Sequence, residues 1–78
     1  GLKIEGFVID RLSGLPLANV DMDLYDADGT LVPLDADTNS SGHYSFKNVP
    51  NDSYYVKADA PLPPATRPDR ILIRRIRN

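Results

Sequence analysis

Four carboxylates, Asp21, Asp23, Asp26 and Asp28, fall close together in the sequence, and the last two frame a D-A-D-G segment. Calcium takes six to eight oxygen ligands held by loops and turns, so these residues form the candidate metal site. A second set, Asp35, Asp37 and Asn39, sits at alternate positions, yet Phe46 stands twelfth counting from Asp35, where an EF-hand loop carries an acid. The competing reading is turn chemistry plus solvated aspartates that discourage edge-to-edge strand pairing. Calcium is the one possible cofactor the residues suggest.

Tyr25 and Tyr55 form the candidate ligand-binding pair, since an outward aromatic stacks on a sugar ring while its hydroxyl bonds polar groups. They point to glycan or peptide as possible partners. His43 is the sole histidine, with Ser41, Ser45 and Ser53 near it in sequence. A catalytic triad needs nucleophile, base and orienting acid converging in a pocket, and nothing in the spacing specifies that. No enzyme activity is expected.

The elements that must position these residues read as strands. Tyr44 and Phe46, then Val49 after a break at Asn48, alternate with His43, Ser45 and Lys47, the pattern of a half-buried strand. Pro50 to Ser53 reads as a tight turn, and Tyr54, Val56 and Ala58 alternate with Tyr55, Lys57 and Asp59. The expectation is a hairpin of these two strands, the stretch that organises the chain. Val20, Met22 and Leu24 alternate with Asp21, Asp23 and Tyr25, and Asp26 to Gly29 turns the chain back into Thr30 to Asp37. Pro33 makes that return strand an edge strand or breaks it.

Leu2 to Ile9 is a first strand with Leu2 and Ile4 on one face. Gly6 interrupts it at a point where a neighbouring chain approaches closely, after which either Val8 or, across a bulge, Phe7 and Ile9 continue the face. Asp10 to Asn19 is a loop, with Ser13-Gly14 as its turn, Pro16 ending regular pairing, and Leu15 and Leu17 folding back over the core. Ala60 to Asp69 carries four prolines and should run extended over the surface. Arg70 to Arg77 is the last strand, with Ile71 and Ile73 inward and Ile76 out of step.

A length of 78 residues allows one domain, spanning 1–78. Gly1 in place of Met points to a module excised from a longer protein. The net charge of −2 is unevenly distributed: residues 1–66 hold four basic and ten acidic side chains, while residues 67–78 hold five arginines and Asp69. Without a basic helix or an aromatic stripe beside those arginines, nucleic acid is not an expected partner. They are expected to pair with the acidic face or to meet a neighbouring domain. Cysteine is absent, which excludes disulfides and thiolate metal sites. No apolar run approaches the roughly 18 residues of a membrane span, so direct membrane insertion is not expected. Six or seven short strands with two sets of apolar faces imply an all-β fold, a small antiparallel β-sandwich.

The segments I-E-G-F-V-I-D at 4–10, S-G-L-P-L-A-N-V at 13–20, D-M-D-L-Y-D at 21–26, D-G at 28–29, and N-S-S-G-H-Y-S-F-K-N-V-P at 39–50 leading into Y-Y-V-K-A at 54–58 resemble the transthyretin-like sandwiches. They are most similar to carboxypeptidase regulatory-like and collagen-adhesin B-type modules. Ser41 to Phe46 is the most specific part, while Asp52 or Ser53 stands where these families commonly have glycine. The resemblance covers residues 4–58 and implies a prealbumin-like sandwich of about seven strands. It does not imply one function, since such modules serve as stalk repeats of adhesins, accessory domains beside enzymes or extracellular segments of outer-membrane receptors; the expectation is a noncatalytic structural or spacer module of an extracellular or cell-envelope protein, bacterial in setting. Such a module is expected to be monomeric and to contact neighbouring domains of its parent; a calcium- or carbohydrate-binding module is the alternative. Adhesin-type modules often carry a lysine-to-asparagine isopeptide bond. Lys3 and Asn78 mimic that pair by position, but Glu5, the only glutamate, lies on the strand of Lys3 and the family's later glutamate has no counterpart.

Overall fold

The computed structural model describes residues 1–59 and 67–77. It contains β1 (Leu2–Asp10), β2 (Asp21–Asp26), β3 (Leu31–Asp37), β4 (His43–Val49), β5 (Tyr54–Asp59) and β6 (Ile71–Arg75), with a short 3-10 turn at Pro68–Arg70 before β6. Two three-stranded antiparallel sheets, in the orders β4-β1-β6 and β3-β2-β5, pack face to face. Between them lie Ile4, Val8, Val20, Met22, Leu24, Tyr44, Phe46 and Val49, all buried, with Leu17, Val56, Ile71 and Ile73 packed around them. The all-β sandwich read from the alternation is the observed architecture.

The strands bury the faces their patterns assign, except that Leu2, expected beside Ile4, is exposed where the β1–β4 register shifts between the two. In β1 the inward set is Ile4, Gly6 and Val8, so the alternation runs through the glycine without a switch of face. Gly6 is the site of close approach: it opposes Tyr44 on β4 and Arg75 on β6. Pro33 lies on an edge strand, as proline requires, and the pairing of β2 with β3 also slips between Met22 and Leu24. Gly29 closes the β2–β3 turn at φ 81°, a left-handed backbone conformation that residues with a Cβ rarely adopt.

The expected hairpin of β4 and β5 does not form. The two strands lie in different sheets, β4 against β1 and β5 against β2. Turn residues at 50–53 serve a corner between sheets as readily as a hairpin, and the decisive departure is Asn48, at φ 57°. It ends the alternation, turns Val49 into the core opposite Leu2, and sends the chain across to Tyr54, which opposes Asp26. The Tyr54 hydroxyl donates to the Pro50 carbonyl oxygen at 2.7 Å and pins that corner, much as the tyrosine corner does in other sandwiches.

Three loop expectations also change. Leu17 packs on the core, but Leu15 is 65% exposed. Pro16 does not end pairing cleanly, since it forms an isolated bridge with Ile9. Asp10 belongs to β1 and is buried, because the parity that buries Ile4 and Val8 also turns position 10 inward. Of the proline-rich stretch, 60–66 lie outside the described residues, while Pro68–Arg70 form the 3-10 turn. The final strand ends at Arg75, and Ile76 adds one further bond by donating its N–H to the Glu5 carbonyl at 2.9 Å.

Candidate functional site

The outer face of the β3-β2-β5 sheet gathers the residues with most chemistry. Burial of Met22 and Leu24 leaves Asp21, Asp23 and Tyr25 on the outward side of β2. Pairing with β3 and β5 then builds rows across the sheet. At one end Tyr25 lies between Leu31 and Tyr55; at the other Asp21 lies between Asp37 and Asp59. Asp23 opposes Lys57 between them.

The tyrosines of the candidate pair therefore meet. Their rings are stacked, with centroids 5.3 Å apart and planes 11° from parallel. The Lys57 ammonium lies 5.2 Å from the Tyr25 centroid and 5.7 Å from that of Tyr55. Tyr55 is 43% exposed and Leu31 lies open beside the pair. Each ring covers one face of the other. A sugar stacks on an open ring face, so what the pair offers a ligand is its outer faces together with its edges and hydroxyls.

The four candidate metal ligands do not converge. Asp21 and Asp26 sit at opposite ends of β2, about 17 Å apart at the rise of an extended strand. One Asp26 carboxylate oxygen, Oδ1, accepts the N–H groups of Asp28 and Thr30 at 2.9 and 3.0 Å, so this side chain closes the turn. Among the described residues no three of His, Cys, Asp or Glu are grouped as a metal ion would need. Asp21 instead stands among like charges. Burial first, and then Asp23, Asp37, Asp59 and Asp35, push its carboxyl pKa up.

On the opposite sheet, His43 and Glu5 face outward together. His43 Nε2 lies 2.9 Å from Glu5 Oε1, its ring packs on Phe7 with centroids 5.3 Å apart, and Lys3 Nζ lies 3.2 Å from Glu5 Oε2. The bond with His43, followed by that with Lys3, holds the Glu5 carboxyl below its ordinary pKa. Ser45 is the cross-strand partner of Glu5, but its Oγ is buried with no bonding partner. His43 thus spends a ring nitrogen on an acid without a serine nucleophile hydrogen-bonded to it among the described residues. Lys3 is half-exposed and ion-paired, unlike the buried neutral amine an isopeptide bond requires, and Asn78 lies outside the described residues.

Two polar anchors went unnoticed in the sequence. Asp10 receives a bidentate pair from Arg70, at 2.9 Å from Nε and 2.6 Å from Nη2, and also accepts the Leu12 N–H at 3.0 Å. The Arg70 bonds, then the Leu12 N–H, hold its carboxyl far below the usual carboxylate range. Thr38, also buried, accepts the Val20 N–H at 2.9 Å and donates to the Leu17 carbonyl at 2.6 Å, fixing the entry to β2. The parity of β1 was a usable signal for Asp10, since an inward acid at a strand end needs a cation. Thr38 gave no such signal.

Residues 3–71 match the family model of the carboxypeptidase regulatory-like domain. The chain belongs to that family. The match runs past Ala58, where the resemblance had faded, through the proline-rich stretch to the first residue of β6. No curated protein and no solved structure matches the chain. Membership agrees with the prealbumin-like sandwich and with a family of noncatalytic regulatory-like modules, in which sites are added to a common fold rather than dictated by it.

Proposed function

We propose that this carboxypeptidase regulatory-like domain is a noncatalytic structural accessory module of an extracellular or cell-envelope protein, bacterial in setting, that contacts neighbouring domains and takes its place by shape. The observation that carries the proposal is the pairing of the terminal strands. β1 and β6 run antiparallel, from Gly6 opposite Arg75 to Asp10 opposite Ile71. Leu2, Lys3 and Ile4 consequently line the same surface pocket as Arg75, Ile76 and Arg77. A parent chain entering through β1 and leaving after β6 does so at one end of the sandwich. That geometry suits a unit mounted beside its neighbours, with the opposite end free, more than a link stretched in line between them.

The second reading is a module that binds calcium through its aspartates or glycan through Tyr25 and Tyr55, and the meeting of the two tyrosines on the outer face of the sheet is the observation in its favour. Thermal unfolding with chelator and then with millimolar calcium separates the two. The structural reading expects the same melting temperature in both, and for Asp28→Ala only the small loss due to a weakened turn. A calcium-dependent rise that Asp28→Ala abolishes would replace it with the calcium reading, because a ligand that binds only the folded state raises stability.

A further inference from the structure

We propose that Tyr25 and Tyr55 are a modification site, at which oxidation joins the two phenol rings by a carbon–carbon bond and staples β2 to β5. The two residues are directly opposite in the antiparallel register and their rings are already stacked at 5.3 Å. The ladder holds the two Cβ atoms about 5 Å apart, whereas the joined rings hold theirs about 7 Å apart, so coupling also draws the first residues of β5, an edge strand, slightly away from β2. The other two tyrosines are placed differently. Tyr44 is buried in the core, and the Tyr54 hydroxyl is engaged with Pro50.

The oxidant belongs to the peroxidase class, acting with hydrogen peroxide. Each phenol loses one electron and one proton, and the two phenoxyl radicals pair at the carbons ortho to oxygen. The ortho hydrogens then move to the oxygens as the rings regain aromaticity. The pair loses two hydrogen atoms in total, and one peroxide takes them up to give two waters. A radical formed on one ring has its partner in contact before another chain can diffuse to it, which favours coupling within the chain. In a sequence without cysteine this bond is a covalent staple that the side chains themselves permit. It closes a loop that runs through the β2–β3 turn, all of β3 and β4 and the corner at Tyr54, thereby removing freedom from the unfolded chain.

The test treats the dilute 78-residue chain with a peroxidase and limiting hydrogen peroxide. The expected product is a monomer lighter by two hydrogen atoms, with biphenol fluorescence and a proteolytic fragment joining the Tyr25 and Tyr55 peptides. Its melting temperature should rise on the order of 10 °C, as for other cross-links closing loops of this size. Tyr25→Phe and Tyr55→Phe keep the ring stack and should each lose the monomeric product, whereas Tyr54→Phe should retain it. An unmodified monomer, coupling only between chains, or a monomeric cross-link that survives either Tyr25→Phe or Tyr55→Phe would overturn the proposal.

Discussion

Replacing Gly6 by alanine loads the middle of the β4-β1-β6 sheet, where three strands meet with no room for a side chain. A Cβ at this position would lie 2.7 Å from the Tyr44 hydroxyl, 2.9 Å from the Arg75 Cα, and closer still to the Arg74 carbonyl oxygen. Two of these three neighbours are backbone atoms of β6, so relief requires moving a strand. Overpacking in a closed core costs about 1–3 kcal/mol, and backbone contacts place this case at the upper end. Alanine restricts the unfolded chain and returns roughly 0.5–1 kcal/mol, leaving a net loss of about 2 kcal/mol. Against a total stability of roughly 4–12 kcal/mol for a chain this size, the variant folds but melts about 10 °C lower.

Urea denaturation is the assay, read as a lower midpoint with an unchanged slope. Tyr44→Phe supplies the second arm of a cycle. The Tyr44 hydroxyl is buried without a bonding partner, and burial pushes its pKa up. Its removal alone should leave stability unchanged or raise it by up to about 1 kcal/mol. In that background Gly6→Ala should cost about 1 kcal/mol less, since one of its clashes is gone. A neutral or stabilising Gly6→Ala would refute the close-approach reasoning and show that β6 yields freely.

Asp10→Asn should lower the melting temperature at neutral pH by more than any exposed Asp→Asn change, because it removes the charge and replaces one of the two oxygens that accept from Arg70 by a donor amide. The folded-state pKa of Asp10 is depressed, so its contribution is present above the unfolded value of about 3.9 and lost as pH falls through the folded one; Asp10→Asn should flatten the acid limb of a stability-against-pH curve. Asp21→Asn should have the opposite sign. A raised folded pKa means the ionised Asp21 weakens the fold above that pKa and ceases to do so below the unfolded one. The variant should therefore gain about 0.5 kcal/mol at neutral pH, less in high salt, and converge with the parent in acid, as melts across pH and ionic strength will read. Tyr54→Phe should cost about 1 kcal/mol by freeing the Pro50 carbonyl from its bond, measured by the same urea titration.

Alternation alone carried most of the fold. The inward sets Met22 and Leu24 on β2, with Val20 just before it, and Tyr44 and Phe46 on β4 are set by a local period of two that any burying sheet must respect. Pairing was less legible, because it depends on which edges remain open after other strands have docked. β5 joins β2 instead of β4, a choice turning on the left-handed Asn48 and on the free side of a strand already paired with β3. The meeting of Tyr25 with Tyr55 follows from that choice and from register, so sequence could nominate both residues without showing that they touch. The Asp10–Arg70 clamp joins positions 60 residues apart across a proline-rich stretch, beyond the reach of any local pattern.

The clamp also decides how the module yields if its two ends are pulled. With the ends side by side, load opens the β1–β6 ladder one bond at a time, beginning where Ile76 meets Glu5 and Gly6 meets Arg75. The last pair is Asp10 with Ile71, and the Asp10–Arg70 ion pair stands just past it. Initial peeling therefore tests ordinary ladder bonds, while complete release of β6 must break a bidentate charged pair. Asp10→Asn should leave the force of first opening unchanged and make full detachment easier, whereas Gly6→Ala, at the start of the ladder, should lower the first. Single-molecule pulling through the two ends distinguishes them, and a variant at Asp10 that weakened the first opening would show that the ladder fails as one unit.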